Sequence, residues 1–509
     1  MSRSEKSLKN ITTAVICQTI GIIISFITRV VFIKYLGKKF LGLDGLFTNI
    51  LTVLSLAELG VGEAITFGLY KPLAEKDEYR CAMLMQLYKK IYNYIGIFML
   101  IIGASVIPFL QVLIKDIPSN VGNIKLIYYL FVINTATSYF FSYKRNLIIA
   151  DQNRYIATII RYSCYCIMNV IQIIFLVIFK NYILFLIVQI LFTLIENIWV
   201  SIKANKMYKF LNNKEKIKTE KRVKDEIITN TKAMMMHKIG YVMVDSTDNI
   251  IISSFIGLKD VALYSNYYLI IKGLNTILWQ FFSSLTASVG NLFAINNGKD
   301  IHDVFQKIDF ACFWIYAWTS ICLLCLFNDF INLWLGNGFL FDFNIVLVLV
   351  INFYINGMRK SVLMFKDAGG LFYKDRWKAI LEGVLNIVVS VILAVKDGTL
   401  GVFIGTLIST ILVCLWVESY ILYKYGFKKP CKEYFVSYIK YLFSTIILAI
   451  ITFYICNIFK LSGIGGFIYK LIVYIFIPNI IILLFTYKTD KFQYFYNKIF
   501  TKSKNKIFS

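Results

Sequence analysis

The residues of this 509-residue chain best able to do chemistry are polar side chains set inside long apolar runs. Gln18, Ser25 and Arg29 follow one another at spacings of seven and four within Ile11–Leu36, which places them on one stripe of a helix. A second stripe, His237, Tyr241, Asp245 and Asn249, recurs every four residues, with Asp248 three after Asp245. Glu58, Glu63, Lys272, Glu382 and Glu418 lie in other apolar runs. An ionised group in hydrocarbon costs at least about 2.5–3.5 kcal/mol, so such groups face a wet cavity or a partner. The chemistry on offer is recognition. Arg29 presents a planar fork suited to phosphate or carboxylate, with Lys272 as a second cation. Gln18, Ser25, Tyr241 and Asn249 offer hydrogen bonds to a polar ligand, and Asp245 and Asp248 are candidates for holding a coupling ion. For each residue taken alone, an interhelical hydrogen bond or a snorkelling end group is the competing assignment. For Arg29 that competitor is an ion pair with Asp245 or Asp248.

Catalytic signatures are missing. The sequence has no GxxxxGK[ST] loop, no nucleophile elbow and no HExxH. Ten cysteines show no ligand spacing, Cys322 and Cys325 sit inside an apolar helix, and the two histidines, His237 and His302, are far apart. No metal, no cofactor and no enzymatic activity are therefore expected. The net charge of +25 would suit nucleic acid on a soluble fold, but the basic residues fall between apolar runs, so no nucleic-acid partner is expected.

The elements that must position these groups are membrane helices. Hydrophobic residues make up 58% of the chain and charged ones 16%, which excludes a soluble globular enzyme. Apolar runs bounded by charges give about 14 transmembrane helices, from Ile11–Leu36 to Ile464–Tyr487, with Leu43–Tyr70 as the second, Ile91–Leu113 as the third and Phe343–Met358 as the tenth. An even number puts both termini on one side. That side carries most of the 54 Lys+Arg, which makes it cytoplasmic. Lys34, Lys38 and Lys39, in the first outer loop, run against this bias.

Lys203–Lys238 is the longest inner segment, with eleven basic residues against four acidic, and it reads as a solvated linker that touches anionic lipid heads. It divides the chain into an N-terminal six-helix lobe (1–211), a basic linker (212–230), a C-terminal six-helix lobe (231–427), and two further helices with a basic tail (428–509). The lobes read as an internal repeat. RVVFIKYLGKKFLGLDGLFTNIL from Arg29 aligns with NIIISSFIGLKDVALYSNYYLII from Asn249 at an offset of 220, each with a helix end, a glycine (Gly37, Gly257), a charged turn and a new helix. Parallel repeats of this kind place a substrate between two bundles that rock to give alternating access. The expected fold is thus an all-α polytopic membrane protein of two pseudo-symmetric bundles plus two C-terminal helices. Gly398, Gly401 and Gly405 are expected to let the twelfth helix approach a neighbour closely.

Four stretches carry a family likeness: SLAELGVGEAITFGLYKPLAEKD from Ser55, RNLIIADQNRY from Arg145, MHKIGYVMVDSTDNIIISSFIGLKDVALYSNYYLI from Met236, and the segment from Asp367 to Thr410. They resemble the polysaccharide transporter branch of the multidrug/oligosaccharidyl-lipid/polysaccharide exporter superfamily, the bacterial oligosaccharide and O-antigen flippases. The resemblance runs from about Ser7 to Tyr425. It implies a protein of the bacterial plasma membrane that flips an undecaprenyl-pyrophosphate-linked oligosaccharide to the outer leaflet for capsule, O-antigen or exopolysaccharide synthesis. Membrane lipids and the polymerase and glycosyltransferases of that pathway would be its partners. A cation-coupled drug exporter of the same superfamily is the alternative. A membrane-embedded polysaccharide polymerase or glycosyltransferase is a more distant one, because no outer loop exceeds roughly 15 residues.

Overall fold

The helix Arg154–Phe179 buries Asn169 and Gln172 and exposes Ile167, Val170, Ile174 and Ile178. Polar inside and apolar outside is the arrangement hydrocarbon selects, because an unpaired polar group facing lipid has no water to bond. Asn169 accepts from Thr28 at 2.8 Å, and Gln172 donates to the Phe185 carbonyl at 3.1 Å.

The computed structural model describes residues 3–58, 60–115, 122–212, 246–295, 298–371, 374–375, 377–456 and 463–497, with Ile458 and scattered positions between 217 and 244. Among these no strand occurs. The helices are α1 Arg3–Leu36, α2 Lys38–Leu54, α3 Val61–Glu75, α4 Glu78–Ser105, α5 Ile124–Ala150, α6 Arg154–Phe179, α7 Tyr182–Met207, α8 Thr247–Ile251, α9 Leu258–Ile295, α10 Gly298–Leu335 and α11 Phe343–Ala368. The element Lys378–Phe427 follows as two helices, α12 (378–397) and α13 (399–427), before α14 Lys432–Cys456 and α15 Gly463–Thr486. Ten described segments are long and apolar enough to cross a membrane, and Lys378–Phe427, 50 residues long, holds two of the expected spans. It turns back at Gly398 (φ 60°). Asn386 bonds Thr406, Ser390 bonds the Val402 carbonyl and Thr410 bonds Glu382, a register only an antiparallel hairpin produces. A Cβ on Gly405 would stand 2.3 Å from Ser390 Oγ, so the glycine provides the close approach expected of it.

Span boundaries differ from the sequence reading at several helices, as where the ninth span, expected at Ile308–Phe327, runs Gly298–Leu335, and three of the differences shape the interior. The second span is broken: α2 ends in a 3-10 turn at Ser55–Glu58, Gly60 takes φ 77°, and α3 continues to Glu75. The third begins at Glu78 rather than Ile91, because Asp77 caps it by accepting from the Arg80 amide, and the exposed Lys89 and Lys90 lie on a helix that reaches beyond its apolar stretch. The tenth runs on to Ala368 rather than stopping at Met358, since Arg359 and Lys366 find buried carboxylates.

The chain packs as two compact units, Met1–Ser265 and Asn266–Ser509. In the first, α5 lies against α4 and α7, and α1 against α6. One apolar cluster there gathers Tyr88, Tyr92, Met99, Tyr139 and Leu147; a second gathers Phe32, Leu43, Phe47, Tyr128 and Phe185. The second unit centres on α10 and α11. Against α10 pack α14 and α15, through Ile321, Leu448, Tyr474 and Ile482 and through a hydrogen bond from Trp314 to Asn479 at 2.6 Å. The two glycines matched at offset 220 both end helices at positive φ: α1 ends at Gly37 (φ 87°, ψ 178°), and the helical stretch before α9 ends at Gly257 (φ 141°, ψ 168°). Both values lie outside the range of L side chains, which gives the glycine match at offset 220 a physical cause.

Candidate functional site

The stripe on α1 lies against α6. Ser25 Oγ shares a hydrogen bond with Tyr165 Oη at 2.7 Å and donates to the Gly21 carbonyl, so this hydroxyl ties the two helices. One turn on, Arg29 is half-buried, and its Nη1 is buried with no hydrogen-bond partner. The carboxylate that acts on it is Asp44 of α2, with the Tyr165 hydroxyl second. Asp44 is itself held by Tyr182 Oη at 3.3 Å. Gln18, two turns before Ser25, is half-buried. The structure thus brings Ser25 and Arg29 together with Asp44, Tyr165 and Tyr182, three residues that sequence reasoning missed. A signal existed for Asp44: an acid seven residues after the Gly37 turn, on the helix that follows α1, is a natural counter-charge for Arg29.

Of the second stripe, Asp248 and Asn249 are buried at the start of the described part of that helix, and Asn249 Oδ1 has no hydrogen-bond partner. Tyr241, Asp245 and His237 lie outside the described residues, as does the Glu63 side chain. Lys272 on α9 is exposed, its ammonium 5.8 Å from the centroid of the Tyr268 ring one turn earlier.

The acids Glu382 and Glu418 belong to a buried charge network in the second unit. Arg359 of α11 grips Glu418 of α13 with two bonds, Nε to Oε2 at 2.9 Å and Nη2 to Oε1 at 2.8 Å, and gives its Nη1 to Asn356 at 2.7 Å. Lys378, which opens α12, also bonds Glu418, and Glu382 lies 3.9 Å from Arg359. Lys366 pairs with Asp375, which lies 3.8 Å from Lys378. Three cations thus face three carboxylates, and with its oxygens taken by Arg359 and Lys378, Glu418 ties three helices together. Asp309 of α10 accepts from Ser361 at 2.7 Å beside it. Arg359 and Lys366 were missed because the apolar run stops at Met358; the signal available was that two intramembrane acids on α12 and α13 required cations at similar depth.

The sequence matches no protein-family model and no curated protein. Solved structures do match in fold. "Lipid II flippase MurJ, inward closed conformation" superposes with a TM-score of 0.67 at 15% identity, covering 93% of this chain and 98% of that one. An inward-facing multidrug resistance MATE family transporter of the MOP superfamily gives 0.63 at 12% identity over 82% of this chain and 99% of that one. The Vibrio cholerae MATE transporter VcmN gives 0.58 at 13%, over 84% and 99%. The chain therefore has the multi-span, all-helical fold shared by these transporters.

Proposed function

We propose that this chain is a flippase for polyprenyl-pyrophosphate-linked oligosaccharides, carrying the repeat unit from the cytoplasmic to the outer leaflet of the bacterial plasma membrane, with both termini cytoplasmic. The observation that carries the reading is Arg29, a guanidinium inside the first membrane helix with a buried, unpartnered Nη1. Such a donor costs free energy unless a ligand completes it, and the planar fork matches the oxygens of a pyrophosphate. Asp44 moderates that charge, so an anion could be held and then released. A glycan with a pyrophosphate cannot cross about 30 Å of hydrocarbon unaided, so a polar path must carry the head group while the polyprenyl tail stays in lipid. Gln18, Ser25 and Asn249 would line that path. Glycosyltransferases supply the substrate and a polymerase consumes it. The likeness to MurJ supports a lipid-linked substrate.

A second reading, a cation-coupled exporter of small molecules, draws on the likeness to MATE transporters and on the buried Asp248 and Asn249, where an acceptor oxygen lacks a donor. Asp248, with Asp245, would then hold the driving ion. The two readings part in cells. Removing a flippase leaves lipid-linked oligosaccharide trapped in the inner leaflet, measurable by protection from an impermeant glycosidase. Removing an exporter leaves that distribution unchanged and raises the intracellular level of a cationic dye.

A further inference from the structure

The first unit holds an open polar cavity of about 400 Å³ that neither α1 nor α8 lines. Its wall is built where the second span breaks: the 3-10 turn at Ser55–Glu58 carries the Glu58 carboxylate in beside Tyr92, which donates to it. From α5, α6 and α7 come Arg145, Arg161 and Glu196, with Arg145 paired to Glu196. Two cations thus meet two carboxylates. The hydrogen-bonding groups are equally mixed. Arg145 Nε and the Nδ2 of Asn197, a residue only 4% exposed, are buried donors with no partner, and Arg161 is exposed. On the acceptor side, Ser138, Ser142 and Thr193 commit their protons to Thr135, to Tyr139 and to Asn134 or Gln189, which leaves oxygen lone pairs for a ligand. Tyr92 and Tyr139 add two rings with centroids 5.8 Å apart.

A bare cation has no use for these donors, and a bare anion would meet two carboxylates. A hydroxylated ring both donates and accepts at every hydroxyl, carries no charge and presents C–H faces to tyrosine. The volume falls in the range of small-molecule sites. We infer that this cavity is a binding site for a neutral sugar residue, a subsite that holds part of a glycan away from the Arg29 region; it rests on the oligosaccharide reading.

The test uses the full chain in phospholipid nanodiscs free of glycolipid and sugar detergent, with methyl glucoside and methyl N-acetylglucosaminide as probes in saturation-transfer-difference NMR. Sodium chloride and inorganic phosphate are tested separately by thermal stabilisation. Ser142→Phe fills the cavity, and Asn197→Leu removes a donor at similar volume, so that one variant remains if the other fails to fold by circular dichroism. The site predicts a signal from at least one glycoside in the parent and at least a tenfold weaker affinity in each folded variant. No glycoside signal in the parent, equal signals in the variants, or variant-sensitive stabilisation by sodium or phosphate in its place overturns it. Flipping of a lipid-linked oligosaccharide, measured on the same proteins, separates the two claims. Variant-sensitive sugar binding without any flipping retires the flippase and leaves the site, whereas flipping by the parent with variant-insensitive sugar binding retires the site alone.

Discussion

Replacing Arg359 with methionine removes the main partner of Glu418, a carboxylate whose side chain is 1% exposed. Two charge-assisted bonds, at 2.9 and 2.8 Å, are lost, each worth about 1.5–3 kcal/mol. Breaking a buried pair from one side typically costs about 3–5 kcal/mol. Lys378 stays on Glu418, so Arg359→Met should fall toward the lower end, about 3 kcal/mol. Lys378→Met leaves the two arginine bonds intact and should cost about half as much. Arg359→Met combined with Glu418→Met strands no carboxylate at position 418 and should cost less than Arg359→Met alone, since Lys378 keeps Asp375 at 3.8 Å. The assay is equilibrium unfolding in SDS–phospholipid mixed micelles followed by circular dichroism. A cost below about 1 kcal/mol for Arg359→Met, or a double variant that is additive within about 0.5 kcal/mol, would refute the claim that Glu418 is held as a structural tie.

Arg29→Lys should flip substrate poorly and Arg29→Ala not at all, with both proteins present in the membrane at parental levels, because a point charge does not reproduce the fork; a fully active alanine variant would show that Arg29 does not serve the substrate. Asp44→Asn removes the carboxylate that acts on Arg29, so it should raise the apparent affinity for the anionic head group and slow its release, readable as a lower KM with a lower maximal flipping rate. Gly405→Val pushes side-chain atoms into Ser390, whose Oγ would stand 2.3 Å from the new Cβ, and should destabilise the α12–α13 hairpin by about 1–3 kcal/mol in the same unfolding assay. Cysteines placed at positions 214 and 502 should react with an impermeant maleimide only after the membrane is opened; labelling of intact cells would reverse the topology.

The helix pattern was legible because hydrocarbon imposes one rule on every span, and the glycines at positions 37 and 257 were legible as helix ends because each terminates a helix with a backbone that side chains disfavour. What stayed hidden were pairings across helices. Nothing local to Arg359 announces Glu418, 59 residues on, and nothing local to Ser25 announces Tyr165, 140 residues on. The break at Ser55–Glu58 was masked for the same reason: the run from Leu43 to Tyr70 has no Lys or Arg to divide it and reads as one span despite Glu58, Gly60 and Glu63, and tyrosines on another helix, Tyr88 bonding the Gly62 carbonyl and Tyr92 bonding Glu58, hold the chain where it bends.

The most direct test is reconstitution. The purified chain is placed in sealed phospholipid vesicles containing a short undecaprenyl-pyrophosphate-linked oligosaccharide, and the fraction of head groups open to an impermeant glycosidase is followed with time. The account predicts that this fraction rises from about half toward completeness with the parent protein, stays at the protein-free level with Arg29→Ala, and is indifferent to a fluorescent cation added in excess. A parent protein that leaves the lipid-linked sugar where it started, while accumulating the fluorescent cation in response to a proton or sodium gradient, would contradict it.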